Sequence, residues 1–256
     1  EDVIRLVKAK LDDNKKSYIA CNNSCESILT IRDLLQIHKP STNILVICTD
    51  TLHRPEVVDA LANPNTTWGE YDVVLCSPSV QSGVSYDVRD SFDSIFGIFG
   101  NSTNSSGDAC QMLHRVRHPI SNEVVVSFTF SALYANHSGG GITNREEYIR
   151  YLTKVRNFGD FEKLPSNGQA EYKTLENMTE FEYNDFNETE FKRNWYFNMF
   201  VDFRITENID RRDYAKNFID KQLIYGNTVT ILDVGLDIVK KKNTVIKGDF
   251  KDTKQI

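Results

Sequence analysis

The run Val73-Val-Leu-Cys76-Ser-Pro-Ser-Val-Gln-Ser-Gly83-Val-Ser-Tyr-Asp87 decides which fold the chain is expected to adopt. Its first four residues are all apolar, which is typical of a strand that is buried on both faces. Comparable apolar runs occur at residues 18–21 and 44–48, and a helical pattern follows each of them. Strands that alternate with helices in this way predict an α/β fold with a parallel sheet and helices on both faces.

Two further strands are predicted at residues 92–99 and 123–130, with a helix over residues 107–116 between them. Ligands of parallel α/β sheets bind beyond the carboxyl ends of the strands. We therefore expect the loops after Cys21, Cys48 and Cys76 to lie at one edge of the sheet.

A glycine run at Gly139-Gly-Gly141 predicts a domain boundary. We expect an α/β domain over residues 1–138 and a mainly helical extension of unknown role over residues 139–256. Within the extension, residues 206–225 predict one helix with Tyr214, Phe218 and Leu223 facing inward. Gly226 would cap its carboxyl end.

Composition limits the class of protein more than its function. The 256 residues carry a net charge of -6, which argues against a generally basic surface but not against a local basic groove. There is no apolar run long enough to cross a membrane and no signal-peptide pattern. The five cysteines show no metal-binding spacing. We expect an intracellular protein from a reducing compartment, with no metal site and no membrane partner.

The loop after residue 76 has the chemistry to contact phosphates. The hydroxyl groups of Ser77, Ser79 and Ser82 can donate hydrogen bonds to phosphate oxygens, and Gly83 allows close approach of the backbone. A simple Ser/Gly turn between two strands is the alternative for this run.

The second informative run is Gln111-Met-Leu-His-Arg115-Val-Arg117. On a helix, Gln111 and Arg115 would share a face because they are four residues apart. A glutamine can orient water, and an arginine stabilises the charge that develops in phosphoryl transfer. The alternative is an arginine pair that is solvated at the end of a helix.

Together, these two runs resemble motifs V and VI in the second RecA-like domain of superfamily 2 helicases. The resemblance covers roughly residues 15–130, and it is nearest to the herpesvirus-type replication-origin-binding helicases and their relatives in large DNA viruses. Residues 77–87 are similar to motif V, and residues 111–117 are similar to motif VI in its QMxxRVR form. Residues 18–24 resemble motif IV. The resemblance implies a RecA-like sheet and an ATP-dependent, origin-binding DNA helicase of viral replication.

The resemblance also implies roles toward a nucleotide. Arg115 matches the arginine finger that reaches the γ-phosphate of ATP, and Gln111 matches the glutamine near the attacking water. Arg117 is a second candidate for phosphate contact. Gly83 and Ser85 match motif V positions close to the ribose.

Further positions match those that face a bound nucleic-acid strand. Ser77, Ser79 and Ser82 match residues that contact its backbone. Asn22 and Thr49 lie in loops that are expected to face the same strand.

The chain departs from the family pattern at three positions. His114 replaces the glycine of motif VI, which puts the approach of the helix to the nucleotide in doubt. His118 stands where many members have a further arginine. Ser85 replaces the aspartate that is common in motif V, which weakens the ribose assignment.

The sequence contains no Gly-x-x-x-x-Gly-Lys-Ser/Thr motif. We therefore expect ATP and Mg²⁺ to be held mainly by an N-terminal RecA-like domain outside this chain, and the chain alone to be inactive as an ATPase. DNA and that domain are the expected partners, at a site of viral or host DNA replication. The alternative is a non-catalytic nucleic-acid or protein-interaction module on a RecA-like scaffold.

Overall fold

A computed structural model describes residues 2–80, 83–101, 104–133, 141–157, 166–183 and 189–231 of the chain. Its amino-terminal elements are α1 (Asp2–Asp12), β1 (Ser17–Cys21), α2 (Cys25–His38), β2 (Ile44–Ile47), α3 (Pro55–Ala62), α4 (Pro64–Thr67), β3 (Val73–Cys76), β4 (Ser94–Phe99), α5 (Ser106–Leu113), β5 (Val124–Phe128) and α6 (Phe130–Leu133). The later elements are α7 (Arg145–Asn157), α8 (Ser166–Met178), β6 (Phe181–Tyr183), β7 (Thr189–Phe191), α9 (Trp195–Arg212) and α10 (Tyr214–Ile224).

The first five strands form one sheet in the order β2-β3-β1-β4-β5, and every neighbouring pair is parallel. Alternate residues of β1 enter two separate cores, as expected for a strand whose side chains alternate between faces. Tyr18 and Ala20 pack on one face of the sheet, and Ile19 and Cys21 pack on the other. Helices cover both faces, so the predicted α/β RecA-like architecture with a helical extension is confirmed.

Local sequence signals explain several element boundaries. Ser24 caps α2, since its hydroxyl accepts a hydrogen bond from the backbone N–H of Ser27. Pro55 opens α3, where its missing N–H has no cost. Gly226 follows α10 with a φ of 83°, as predicted for a residue beyond a helix end.

Other boundaries differ from the predictions. The fourth and fifth strands are shorter than expected, at Ser94–Phe99 and Val124–Phe128. The predicted helix over residues 206–225 is two helices, because the chain breaks at Asp213 between α9 and α10. Leu223, which was predicted to face inward, is 52% exposed.

The helical extension has a hydrophobic core of its own, formed by α7, α8, α9 and the antiparallel hairpin of β6 and β7. Its last helix is different, because Tyr214 and Phe218 on α10 belong to the core of the sheet domain. The predicted boundary between residues 138 and 139 lies in residues 134–140, outside the described residues. No helix in the described part of the chain combines the length and the hydropathy needed to span a bilayer.

Candidate functional site: a cleft between the loop after β3 and the end of α5

The carboxyl ends of β1, β2 and β3 lie at one edge of the sheet, because the three strands are parallel neighbours. The loops that begin after Cys21, Ile47 and Cys76 therefore meet there, as the sequence predicted. This edge carries the hydroxyl-rich loop of residues 77–87.

The two informative sequence runs line one open cleft of about 200 Å³. The loop after β3 supplies one wall, and the end of α5 with the segment beyond it supplies the other. The lining residues are Gly83, Val84, Ser85, Gln111, His114, Arg115 and Arg117. All five residues that were predicted to contact a nucleotide therefore lie in one place.

A short parallel bridge between Tyr86 and Val116 joins the two walls. The N–H of Tyr86 donates to the carbonyl of Arg115 at 2.7 Å, and the N–H of Arg117 donates to the carbonyl of Tyr86 at 3.1 Å. The strand-like backbone at Val116 places Arg115 and Arg117 on the same side of the segment.

This bridge corrects the predicted helix over residues 107–116. Helix α5 ends at Leu113 and His114 is its C-cap, so Arg115 lies beyond the helix. Gln111 remains on the exposed side of the last turn of α5. The two residues do not share a helix face, and it is the bridge to Tyr86 that brings them to the same cleft.

The guanidinium of Arg115 holds the loop after β3. Its Nη1 donates to the carbonyl of Val84 at 2.9 Å, and its Nη2 donates to the carbonyl of Val80 at 3.0 Å. These two carbonyls lie on either side of residues 81–82. The side chain is half-buried, and part of it lines the cleft.

Arg117 is the more exposed of the two cations. Its Nε lies 3.2 Å from a carboxylate oxygen of Asp87, and the two side chains are 60% and 44% exposed. The other oxygen of Asp87 accepts a hydrogen bond from the hydroxyl of Ser85 at 3.1 Å. Asp87 therefore brings an acidic group next to the position where Ser85 replaces the aspartate of motif V.

Backbone conformation explains two of the residue choices in the cleft. Gly83 has a φ of 101°, a region that residues with a Cβ rarely adopt. His114 has a φ of -87° at the end of α5, so a glycine is not needed there. Its ring Nδ1 lies 2.7 Å from the carbonyl of Cys110, which turns the ring back along the helix.

Burial dominates the electrostatics beneath the cleft. It raises the pKa of Cys76 to about 12, and the charge of Arg115 opposes this rise. Burial also raises the pKa of Tyr18 well above its ordinary value. The phenol donates to the carbonyl of Met112 at 3.0 Å and so ties α5 to β1. Both groups are neutral at physiological pH, and the hydrogen bond of Tyr18 stabilises the position of α5.

The serines predicted to face a nucleic acid lie at the carboxyl edge of β3. Ser77 is buried and shares a hydrogen bond of 2.5 Å with the half-buried Ser79. Thr49 is exposed at the first position of a short 3₁₀ turn after β2. Ser82 lies outside the described residues. The roles of these residues toward a nucleic acid remain predictions.

Asn22 occupies a different environment from the one that its predicted role requires. Its side chain is fully buried, and its amide donates to the carbonyl of Gly100 at 2.7 Å and to Oδ1 of Asn104 at 2.6 Å. The amide nitrogen also lies 3.0 Å from the hydroxyl of Tyr214, and its Oδ1 accepts from the N–H of Gly100 at 2.6 Å. Direct contact with a bound strand would require Asn22 to leave this position.

The donor groups of the cleft fit the phosphate chain of ATP, because Arg115 and Arg117 are cationic and Gln111 is a neutral donor. The described residues contain no group of three or more His, Cys, Asp or Glu side chains that could hold a metal ion.

Asp87 and the carbonyls of Val80 and Val84 contact cleft residues, and the sequence did not single them out. The carbonyls carry no sequence signal, because every residue has one. For Asp87, the sequence did offer a signal. It lies only two residues after Ser85, the position that lacks the aspartate of motif V.

Comparison with known proteins shows distant relatives. No model of a protein family matches the chain. The chain is 27% identical over 148 residues to an uncharacterized protein of Picosynechococcus sp., a match that covers 56% of this chain and 15% of the relative. It is 33% identical over 113 residues to a protein of African swine fever virus named "Putative helicase/primase complex protein", with 44% of this chain and 10% of the relative covered.

The same similarity recurs in proteins of that name from other isolates of the virus, at 32–33% identity over 113 residues. The chain spans only 15% and 10% of the length of the two relatives that it matches.

Proposed function

We propose that this chain is the second RecA-like domain of a nucleic-acid-dependent ATPase, a DNA helicase that acts in replication. In this proposal, the cleft between residues 83–85 and 111–117 faces ATP that is held by a neighbouring domain. Arg115 acts as the arginine finger, Gln111 orients the attacking water, and Arg117 is a further phosphate contact.

The observation that carries the proposal is the meeting of both sequence runs in one cleft. Residues from the loop after β3 and from the end of α5 are more than twenty-five positions apart, yet they line the same surface. Two arginines and a glutamine at such a surface can stabilise the charge that spreads over the transferring phosphoryl group. The similarity to the helicase/primase protein of African swine fever virus supports a role in viral DNA replication.

ATP supplies the phosphoryl group that is transferred to water, and Mg²⁺ neutralises part of its charge. The chain itself contributes donors to the phosphate oxygens from Gln111, Arg115 and Arg117. Because the sequence has no P-loop, we expect binding of ATP and Mg²⁺ to depend mainly on a domain outside this chain.

The nucleic acid would pass the carboxyl edge of the sheet, where Ser77, Ser79 and Thr49 lie. Hydroxyl groups at such an edge contact the phosphate backbone rather than the bases. Binding of single-stranded DNA should therefore be largely independent of sequence and should weaken as the salt concentration rises. We place this activity inside the cell, at the site of DNA replication.

The proposal is tested by DNA-stimulated ATP hydrolysis in the full-length protein that contains this chain. Arg115→Ala should reduce kcat by about 1,000-fold or more, the lower end of the range that is typical of an arginine finger. Arg150→Ala is a matched control, because Arg150 is exposed on α7 and lies outside the cleft. Full DNA-stimulated activity in the Arg115→Ala variant would exclude the proposed role.

A non-catalytic nucleic-acid or protein-interaction module is the second candidate. It is favoured by the bonds of the Arg115 guanidinium to the carbonyls of Val80 and Val84, which require no nucleotide. A module of this kind would bind DNA with equal affinity whether ATP is present or absent. A helicase would bind DNA with an affinity that depends on the nucleotide state.

A further inference from the structure

The first turn of α5 is held by side chains from the distant helical extension. Asp210, near the end of α9, accepts the backbone N–H of Ser106 through Oδ2 at 2.7 Å and its hydroxyl through Oδ1 at 2.6 Å. Lys221 on α10 donates to the same Oδ1 at 2.9 Å and also contacts the hydroxyl of Ser106. We call Ser106, Asp210 and Lys221 the α5 clamp.

The α5 clamp is shielded from solvent, so its charges interact more strongly than a surface pair would. The side chain of Asp210 is only 13% exposed and that of Lys221 is 33% exposed. Ser106 is fully buried. Removing a partner from a buried carboxylate that accepts two hydrogen bonds and pairs with a cation costs considerable free energy.

Apolar packing fixes α10 against the sheet beside the clamp. The ring of Phe218 lies 5.8 Å from that of Phe99 and 5.3 Å from that of Phe128. The hydroxyl of Tyr214 contacts both Asn22 and the carbonyl of Ser105. Lys221 therefore approaches α5 from a helix whose own position is set by the core.

Helix α5 does not need the clamp for its own capping. Ser105 and Asp108 form a reciprocal capping box at its amino end, with hydrogen bonds of 3.0 and 3.1 Å. Asp210 and Lys221 instead fix the position of the helix relative to the extension. The helix is eight residues long, so a shift of its first turn is transmitted to Gln111 and to the segment that carries Arg115.

We propose that Asp210 and Lys221 are positioning residues that set the catalytic geometry of Gln111 and Arg115 through α5. This inference rests on the proposed function. It makes the extension part of the ATPase machinery, although none of the cleft-lining residues comes from the described part of the extension.

Steady-state ATP hydrolysis by the full-length protein tests the inference. Asp210→Asn retains the shape but leaves one acceptor oxygen for the three donors that Asp210 accepts, which are the N–H and hydroxyl of Ser106 and the ammonium of Lys221. We expect kcat to fall at least about tenfold with KM for ATP within about twofold, because a small misplacement acts on the transition state. Lys221→Met should have a similar effect, and Lys221→Arg should restore most of kcat because it keeps the cation.

Asp202→Asn is the matched control, since Asp202 lies on the same helix and pairs with Arg145 at the surface. It should leave kcat unchanged. Hydrogen–deuterium exchange over residues 106–117 should increase in Asp210→Asn and not in Asp202→Asn. All variants are compared at a temperature where circular dichroism shows them fully folded, so a lower kcat does not reflect unfolding.

The inference is overturned if Asp210→Asn keeps normal kcat while Arg115→Ala abolishes hydrolysis, because the arginine would then not depend on the clamp. It is also overturned if Lys221→Arg is as defective as Lys221→Met. If Arg115→Ala itself keeps full activity, the proposed function fails and the positioning role fails with it.

Discussion

Nη1 of Arg115 donates to the carbonyl of Val84 at 2.9 Å, so an arginine of one sequence run directly holds the backbone of the other. The same side chain lines the cleft between the two runs. Arg115 therefore has a structural role that can be measured without any nucleotide. This role has to be separated from the proposed catalytic one.

The structural role predicts a loss of stability. Arg115→Ala should lower the free energy of unfolding by about 2 kcal/mol, because two charge-assisted hydrogen bonds are lost, to the carbonyls of the buried Val80 and the half-buried Val84. Arg117→Ala should change it by less than about 0.5 kcal/mol, since that side chain is largely exposed. Urea titration monitored by circular dichroism measures the free energy of unfolding of both variants. Equal losses in the two variants would contradict the difference in hydrogen bonding between Arg115 and Arg117.

Gly83 is expected to be required for its backbone conformation and not because a larger side chain would clash. A Cβ at Gly83 would meet no atom within 4 Å, but the φ of 101° strains any other residue. Gly83→Ala should therefore cost about 1 kcal/mol of stability.

Gly107→Ala supplies the comparison, because Gly107 lies in the first turn of α5 and the added Cβ would have its nearest contact at 3.5 Å. This variant should be neutral or more stable by up to about 1 kcal/mol. A Gly83→Ala protein as stable as the wild type in thermal unfolding would show that the loop adopts another conformation.

Asn22 and Thr49 were both predicted to face a nucleic acid, and the structure separates them. Asn22→Ala should lower the free energy of unfolding by about 3 kcal/mol, because it leaves buried donors and acceptors of Gly100 and Tyr214 unsatisfied. Thr49→Ala should leave stability unchanged and weaken binding of single-stranded DNA, since Thr49 is exposed. Chemical denaturation measures the stability of the two variants, and fluorescence anisotropy measures their binding of single-stranded DNA. If Asn22→Ala weakened DNA binding without loss of stability, Asn22 would be a contact residue after all.

The sheet could be predicted from the sequence because buried parallel strands are continuous apolar runs, as at Val73–Cys76. The end of α5 could not be predicted from the sequence, because Met112 and Val116 are four residues apart, a spacing that indicates a continuing helix. The alternation of Arg115, Val116 and Arg117 is instead the pattern of a strand, and its partner Tyr86 lies thirty residues earlier in the chain.

Contacts of long sequence separation account for the remaining differences at the site. Asn22 resembled a residue of an exposed loop because its partner Tyr214 is 192 residues away. Asp210 and Ser106 are 104 residues apart, and neither carries a motif. Such pairs depend on how α9 and α10 pack, which local patterns do not specify.

Buried thiols predict a loss of stability in alkali. Burial raises the pKa of Cys21 to about 11 and that of Cys76 to about 12, from an ordinary value of 9.0. The folded state therefore keeps its protons above pH 9 while the unfolded state loses them, and stability present below pH 9 declines as the pH rises. The expected loss between pH 8 and pH 10 is about 1 kcal/mol for each thiol.

Denaturant titrations at pH 8 and pH 10 measure this dependence. Cys76→Ala should lose less stability between the two pH values than the wild type, whatever its stability at pH 8. An equal loss of stability between pH 8 and pH 10 in the variant and in the wild type would mean that the thiol of Cys76 does not contribute to the pH dependence.

In the proposed function, Arg115 stabilises the transferring phosphoryl group of ATP that is bound by a neighbouring domain. Trapping of ADP with aluminium fluoride tests this most directly, because the complex mimics the transition state of phosphoryl transfer. In the full-length protein with Mg²⁺ and DNA, Arg115→Ala should bind a fluorescent ATP analogue with Kd within about threefold of the wild type and fail to trap ADP–aluminium fluoride. An Arg115→Ala protein that traps the complex as tightly as the wild type would show that Arg115 is not the arginine finger.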